Sequence, residues 1–170
     1  MVDIKLEPWV DLLNSKKTRN ESNCRIDEYN CGGYATGTYH WLCPYNDETD
    51  VERQDYMEDL IEDGYTEMEV ANKILEWDFE FLQSLFEGRL RKARPQEVSE
   101  KVESLIAYRI ASEDILEDMA EFHFRVIKNG EWWEKCGTGP IEKVPEGGFN
   151  EPWDNGCLCY DSEILYLILD

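Results

Sequence analysis

Two kinds of hydrophobic spacing divide the chain. From Thr66 to Phe86 the apolar residues Ala71, Ile74, Leu75, Phe79, Leu82, Leu85 and Phe86 recur at helical intervals and form one stripe. Thr66 and Glu69 make a Thr-x-x-Glu capping box in front of that stripe, and Gly88 offers a stop behind it. Beyond residue 100 the pattern changes. Segments Leu105–Ala111 and Phe122–Lys128 read as strands, and Ile164–Leu169, six apolar residues in succession, suits a strand covered on both faces. Helices come first and an antiparallel sheet afterwards, which is an α+β arrangement.

The remaining segments are less regular. Residues 1–22 read as a short amphipathic lead (Trp9, Val10, Leu12, Leu13) running into a polar stretch. From Cys31 to Trp41 the small residues Gly32, Gly33, Ala35 and Gly37 predict a helix that approaches other backbone closely, with Tyr34, Thr38 and Trp41 on one face. Pro44 and the run Asn46–Asp50 are expected to end it. Residues 51–65 are acidic and weakly helical. The basic cluster Arg89–Arg94 reads as cations at the C-terminus of the preceding helix, and it could also receive an acidic partner. An acidic excursion spans Ser112–Glu121, and residues 137–162 form a Gly/Pro-rich loop.

Asn129-Gly130 is a strong type I′ turn signal between Phe122–Lys128 and Glu131–Cys136. A two-residue loop pairs Ile127 with Trp132, Arg125 with Glu134, and His123 with Cys136. Phe122, Phe124, Val126 and Trp133 then share an apolar face, while His123, Arg125, Glu134 and Cys136 share the other. Such polar groups within an apolar hairpin need partners.

Cys31 offers one. At the start of a helix the dipole and a neighbouring imidazolium lower a thiol's pKa, so a thiolate nucleophile with His123 as general base and acid is the expected chemistry. Backbone N–H groups at the helix start could hold an oxyanion, and Glu134 lies diagonally from His123, within reach of its second ring nitrogen. Plainer readings stand beside these. Cys31 could be a buried thiol, His123 a structural histidine, and Glu134 the cross-strand partner of Arg125. Cys136 could compete as nucleophile, but a strand position lacks the helix dipole. His40 follows Cys31 by nine residues, on the opposite side of a continuous helix, and could serve it only if the helix broke near Gly37.

Composition bounds the rest. At 170 residues the chain reads as one domain over 1–170, and 6 Trp, 9 Tyr and 6 Phe supply bulk for a core. Its 17 Lys+Arg against 38 Asp+Glu give a net charge of −21, which argues against nucleic acid and anionic membrane as direct ligands and allows a basic protein partner, beside the plain reading of a highly solvated surface. The first residues lack the basic and apolar regions of a signal peptide, and no run is long enough to span a membrane, so a cytoplasmic location is expected. The six cysteines (24, 31, 43, 136, 157 and 159) are then thiols rather than a disulfide frame. No Cys-x-x-Cys pair, phosphate loop or His-Glu-x-x-His motif is present, so neither metal nor cofactor is expected.

The residues Asn30-Cys31-Gly32-Gly33-Tyr34-Ala35-x-Gly37-Thr38, then Phe122-His123-Phe124-Arg125 and Trp132-Trp133-Glu134-Lys135-Cys136-Gly137, resemble papain-like cysteine peptidases of the NlpC type, with a closer likeness to small phage-encoded proteins of that superfamily. The resemblance covers about residues 28–44 and 104–168, joined by a helical insert at about 51–94. It implies a helix bearing the nucleophile Cys31, packed on an antiparallel sheet bearing the base His123. Glu134 falls where relatives usually carry His or another polar residue. The implied activity is hydrolysis of an amide bond in a peptide, protein or peptidoglycan substrate, within the host cytoplasm if phage-encoded. The alternative from charge is a non-catalytic acidic inhibitor that imitates DNA and binds a host defence or DNA-binding protein.

Overall fold

The computed structural model describes residues 28–170 apart from 118 and 157. The lead helix around Trp9–Leu13, Cys24 and Cys157 lie outside the described residues. The architecture is α+β. Among the described residues three α-helices, α1 (Cys31–Thr36), α2 (Asp47–Glu62) and α3 (Glu67–Leu85), precede a six-stranded antiparallel sheet. Its strands are β1 (Leu90–Lys92), β2 (Ile106–Ile110), β3 (Phe122–Lys128), β4 (Glu131–Lys135), β5 (Ile141–Lys143) and β8 (Leu165–Leu169), in the order β1-β8-β2-β3-β4-β5. A short hairpin, β6 (Trp153–Asp154) with β7 (Cys159–Tyr160), forms a separate ribbon.

The α3 segment folds as its spacing requires. Thr66 accepts a bond from the Glu69 N–H and Glu69 reaches back to the Thr66 N–H. The apolar stripe is buried through Leu85, and Glu87 and Gly88 at φ 55° and 80° turn the chain back. That reversal makes Leu90–Lys92 an edge strand against β8 rather than a helix end. Three cations of this cluster are paired locally: Arg91 with Glu97 and Asp170, Lys92 with Glu76, and Arg94 with Glu97.

Two boundaries differ from expectation. The helix begun at Cys31 is six residues long, because Gly37 adopts φ 69° and the chain doubles back. The Tyr39 N–H bonds the Gly33 carbonyl, and a Cβ on Gly33 would stand 1.9 Å from the His40 carbonyl oxygen. Trp41 consequently leaves the helix and is exposed. Asn46 does not end a helix but starts one. It caps α2 by accepting from the N–H groups of Glu48 and Thr49, and Asp47, Glu48 and Asp50 complement the dipole of the first turn. The region read as continuous loop, 137–162, also holds β5, β6 and β7.

The hairpin register agrees with the sequence reading for four pairs, from Lys128↔Glu131 to Arg125↔Glu134, with Asn129 and Gly130 both at positive φ. Alternation along the sheet then sorts side chains onto two faces. Phe124, Val126, Ile106, Tyr108 and Leu167 pack under the helices with Cys31. Ala107, Ile127, Trp132, Trp153 and Tyr160 form a second cluster on the opposite face. Helix α2 is tied to the first of these. Arg53 makes paired 2.8 Å bonds to Asp78 of α3, which also accepts from the Tyr108 hydroxyl, and Arg53 donates to the Ala120 carbonyl just before β3. No helix among the described residues is long and apolar enough to cross a membrane.

Candidate active site

Asn30 builds the ground on which Cys31 stands. Its side-chain oxygen accepts from the N–H groups of Gly33 and Leu42, and its amide donates to the Leu42 carbonyl at 2.7 Å. One side chain thus caps α1 and staples the returning strand of chain across it. Gly32 lies against Leu42 and the Phe124 ring, where a Cβ would meet atoms at 3.1 Å. The Asn-Cys-Gly-Gly run is therefore a packing requirement as much as a chemical one.

Cys31 itself is 5% exposed. Burial pushes its thiol up to about 12, against the N–H groups of Phe124 and Gly32, which favour the thiolate, while Cys136 and Cys43 add to the rise. The expected lowering by a helix dipole is thus overturned for the resting protein. The helix is a single short one, and full desolvation of the sulfur outweighs it.

His123 is also buried, and it is held from several sides. Nε2 lies 2.7 Å from Glu134 Oε1. Tyr160 stacks on the ring at 5.0 Å between centroids, and Trp153 meets it edge-on at 6.1 Å. Glu134 shares its Oε1 between His123 and Arg125, whose Nε is 3.1 Å away, and Arg125 also donates to Oε2 at 3.5 Å. Burial pushes the Glu134 carboxyl up, yet the hydrogen bonds and charges of His123 and Arg125 outweigh it and hold the group below its ordinary value. Arg125 is in turn sandwiched over Trp153, 4.3 Å from the ring centroid.

Among the described residues, the ligand-capable atoms of His123, Glu134 and Cys136 fall within 4.8 Å of one another. The structure therefore brings these three together. The ladder between β3 and β4 ends at Arg125↔Glu134, two pairs short of the expected His123↔Cys136, so the strands part where the cluster forms. Cys31 reaches the same end of β3 from the other face. Its sulfur meets the Phe124 backbone while the His123 ring packs against Tyr160 and Trp153. Among the described residues no hydrogen bond joins Cys31 to His123, and Tyr160, stacked on the His123 ring, is near enough to Cys31 to feel its charge. Burial, then the charges of Cys31 and Cys136, raise its phenol.

Because α1 ends at Thr36 and Gly37 breaks the helix, the helical geometry that set His40 aside does not apply. What distinguishes His123 is its bonded carboxylate. Trp153 and Tyr160 were missed by the sequence reading. They sit in a loop-rich segment with no periodicity, and only their aromatic bulk next to Gly and Asn hinted at a packed role. Scans of protein-family models and searches of curated proteins and of solved structures returned no match to the chain.

Proposed function

We propose that the protein is a cysteine-dependent hydrolase of amide bonds, with a papain-like core, in which Cys31 is the nucleophile, His123 the general base and acid, and Glu134 the residue that orients His123. The observation that carries this reading is the His123–Glu134 pair: a carboxylate 2.7 Å from Nε2 holds the ring, and the reading requires Nδ1 to reach the Cys31 thiol, which stands at the same end of β3 on its other face. Because Cys31 rests as a neutral thiol, the imidazole removes its proton as the sulfur attacks the acyl carbon, and the imidazolium then protonates the leaving amine. Water hydrolyses the thioester in a second step assisted by the same ring. The N–H groups of Phe124 and Gly32 around the sulfur are the donors available to stabilise developing negative charge. The substrate class is a peptide or protein, or a peptidoglycan stem peptide.

The test is labelling with a peptidyl electrophile, followed by mass-spectrometric mapping. Cys31 is expected to be modified in the parent protein and to lose that labelling in His123→Ala, while Cys43 and Cys159 react equally in both. Modification of Cys31 at an unchanged rate in His123→Ala overturns the reading.

A second reading draws on a separate observation. Helix α2 exposes Asp47, Glu48, Glu52, Asp55, Asp59 and Glu62, a dense acidic surface on a chain of net charge −21. It fits a non-catalytic inhibitor that binds a basic host protein. Full biological effect in Cys31→Ser, with binding to a basic partner that weakens as salt rises, would favour it over hydrolysis.

A further inference from the structure

The cluster of His123, Glu134 and Cys136 carries chemistry beyond orienting a base. An imidazole nitrogen, a carboxylate oxygen and a thiol sulfur lie within 4.8 Å of one another, on a hairpin whose strands part at that point. Ligands about 2.0–2.3 Å from one zinc ion stand roughly 3.3–3.8 Å apart at tetrahedral angles, so the more distant pairs need close by no more than about 1.5 Å, while the 2.7 Å hydrogen bond between His123 Nε2 and Glu134 must open if Nε2 is the ligand. The mixture of N, O and S donors suits zinc and excludes the hard cations, which take oxygen alone. Its members are already positioned: the ring by the Tyr160 stack, the carboxylate by Arg125. The turn at Asn129-Gly130 brings His123 to Glu134 and Cys136, the same face on which the hairpin register sets them.

The geometry points to a zinc site formed by His123, Glu134 and Cys136, with a fourth position open to water. On binding, the Cys136 S–H bond breaks, a sulfur–zinc bond forms, and the proton leaves to solvent. Nothing is oxidised or reduced. Glu134 and the Cys136 thiolate supply two negative charges and Arg125 one positive charge against the dication, leaving +1 at the site. Arg125 opposes the ion and sets the affinity below that of a four-thiolate structural site. The binding does not depend on Cys31 being a nucleophile. Where it is one, zinc occupies its base and inhibits hydrolysis.

The experiment titrates the intact protein with cobalt(II) and with zinc alone. Cobalt is expected to give a thiolate-to-metal charge-transfer band that zinc displaces. Cys136→Ala and Cys136→Ser should lose the band while keeping the parent circular dichroism, and Cys31→Ala and Cys43→Ala should keep it. His123→Gln should weaken zinc by at least about tenfold, as judged by competition with a chromophoric chelator. A band that persists in both Cys136 variants, or no saturable binding of either metal to the parent, overturns the site. Failure of the Cys31 labelling test leaves these readouts unchanged, so the two proposals fail separately.

Discussion

The two faces of the sheet solve the same problem in opposite ways. Beneath the helices the cover is continuous and apolar, and its charged pair, Arg53 with Asp78, is fully bonded to its neighbours. On the other face the cover is made of loops and the β6–β7 ribbon, and it admits Arg109, His123, Arg125 and Glu134 among its aromatics. There, among the described residues, Arg109 donates to the backbone carbonyls of Ser162 and Glu151 at 2.8 Å each. The difference teaches where chemistry can reside. The helical cover keeps its titratable groups either fully bonded, as Arg53 and Asp78 are, or desolvated, as the Cys31 thiol is, whereas the loop cover fixes such groups with rings and carbonyls.

Substitutions can break or sharpen that contrast. The largest effect is expected on the helical face. Arg53→Ala strands a buried Asp78 and should cost about 3–5 kcal/mol in urea unfolding; a loss below about 1 kcal/mol would mean that this face is no more tightly locked than the other. Next is Gly33→Ala, which drives a methyl into the His40 carbonyl and should cost about 1–3 kcal/mol. It should also slow labelling of Cys31, since the loop it displaces is stapled to the same helix. Asn30→Ala removes a cap and two bonds to Leu42, and about 1–2 kcal/mol is expected from the same measurement. The smallest change in stability belongs to the loop-covered face. The folded carboxyl of Glu134 is held below its unfolded value, so its contribution is present above the unfolded pKa and is lost as pH falls through the folded one. Glu134→Gln should therefore cost about 1 kcal/mol at neutral pH and flatten the decline as pH falls below the ordinary glutamate value of about 4.3. An unchanged acid profile would show that the His123–Glu134 bond contributes nothing to folding.

The sequence made the hairpin legible because a two-residue loop leaves no freedom of register, and the register in turn placed Glu134 near His123. It made α3 legible because Thr66 and Glu69 mark its start and Gly88 its end. It failed where one residue type serves opposite purposes. Asn46 was read as a breaker and is a cap; Gly37 was read as a permissive helix position and is the left-handed stop. The basic cluster was given to a helix because its charges suit a C-terminus, whereas the backbone reversal at Glu87 and Gly88 commits it to the sheet edge. The protonation state of Cys31 was illegible for a different reason. It depends on how fully Leu42, Phe124 and their neighbours exclude water, which no local pattern states.

The bond from Arg53 to the Ala120 carbonyl has a consequence for how this chain could be divided. Helices α2 and α3 look like a detachable insertion in the sequence, a block that could be trimmed to leave a minimal module. Yet the guanidinium of that block grips the main chain three residues before His123, and Asp78 and Tyr108 hold it there. A shortened version would lose the anchor that aims β3, so the block belongs to the smallest unit that can be expressed, swapped or grafted as a working whole.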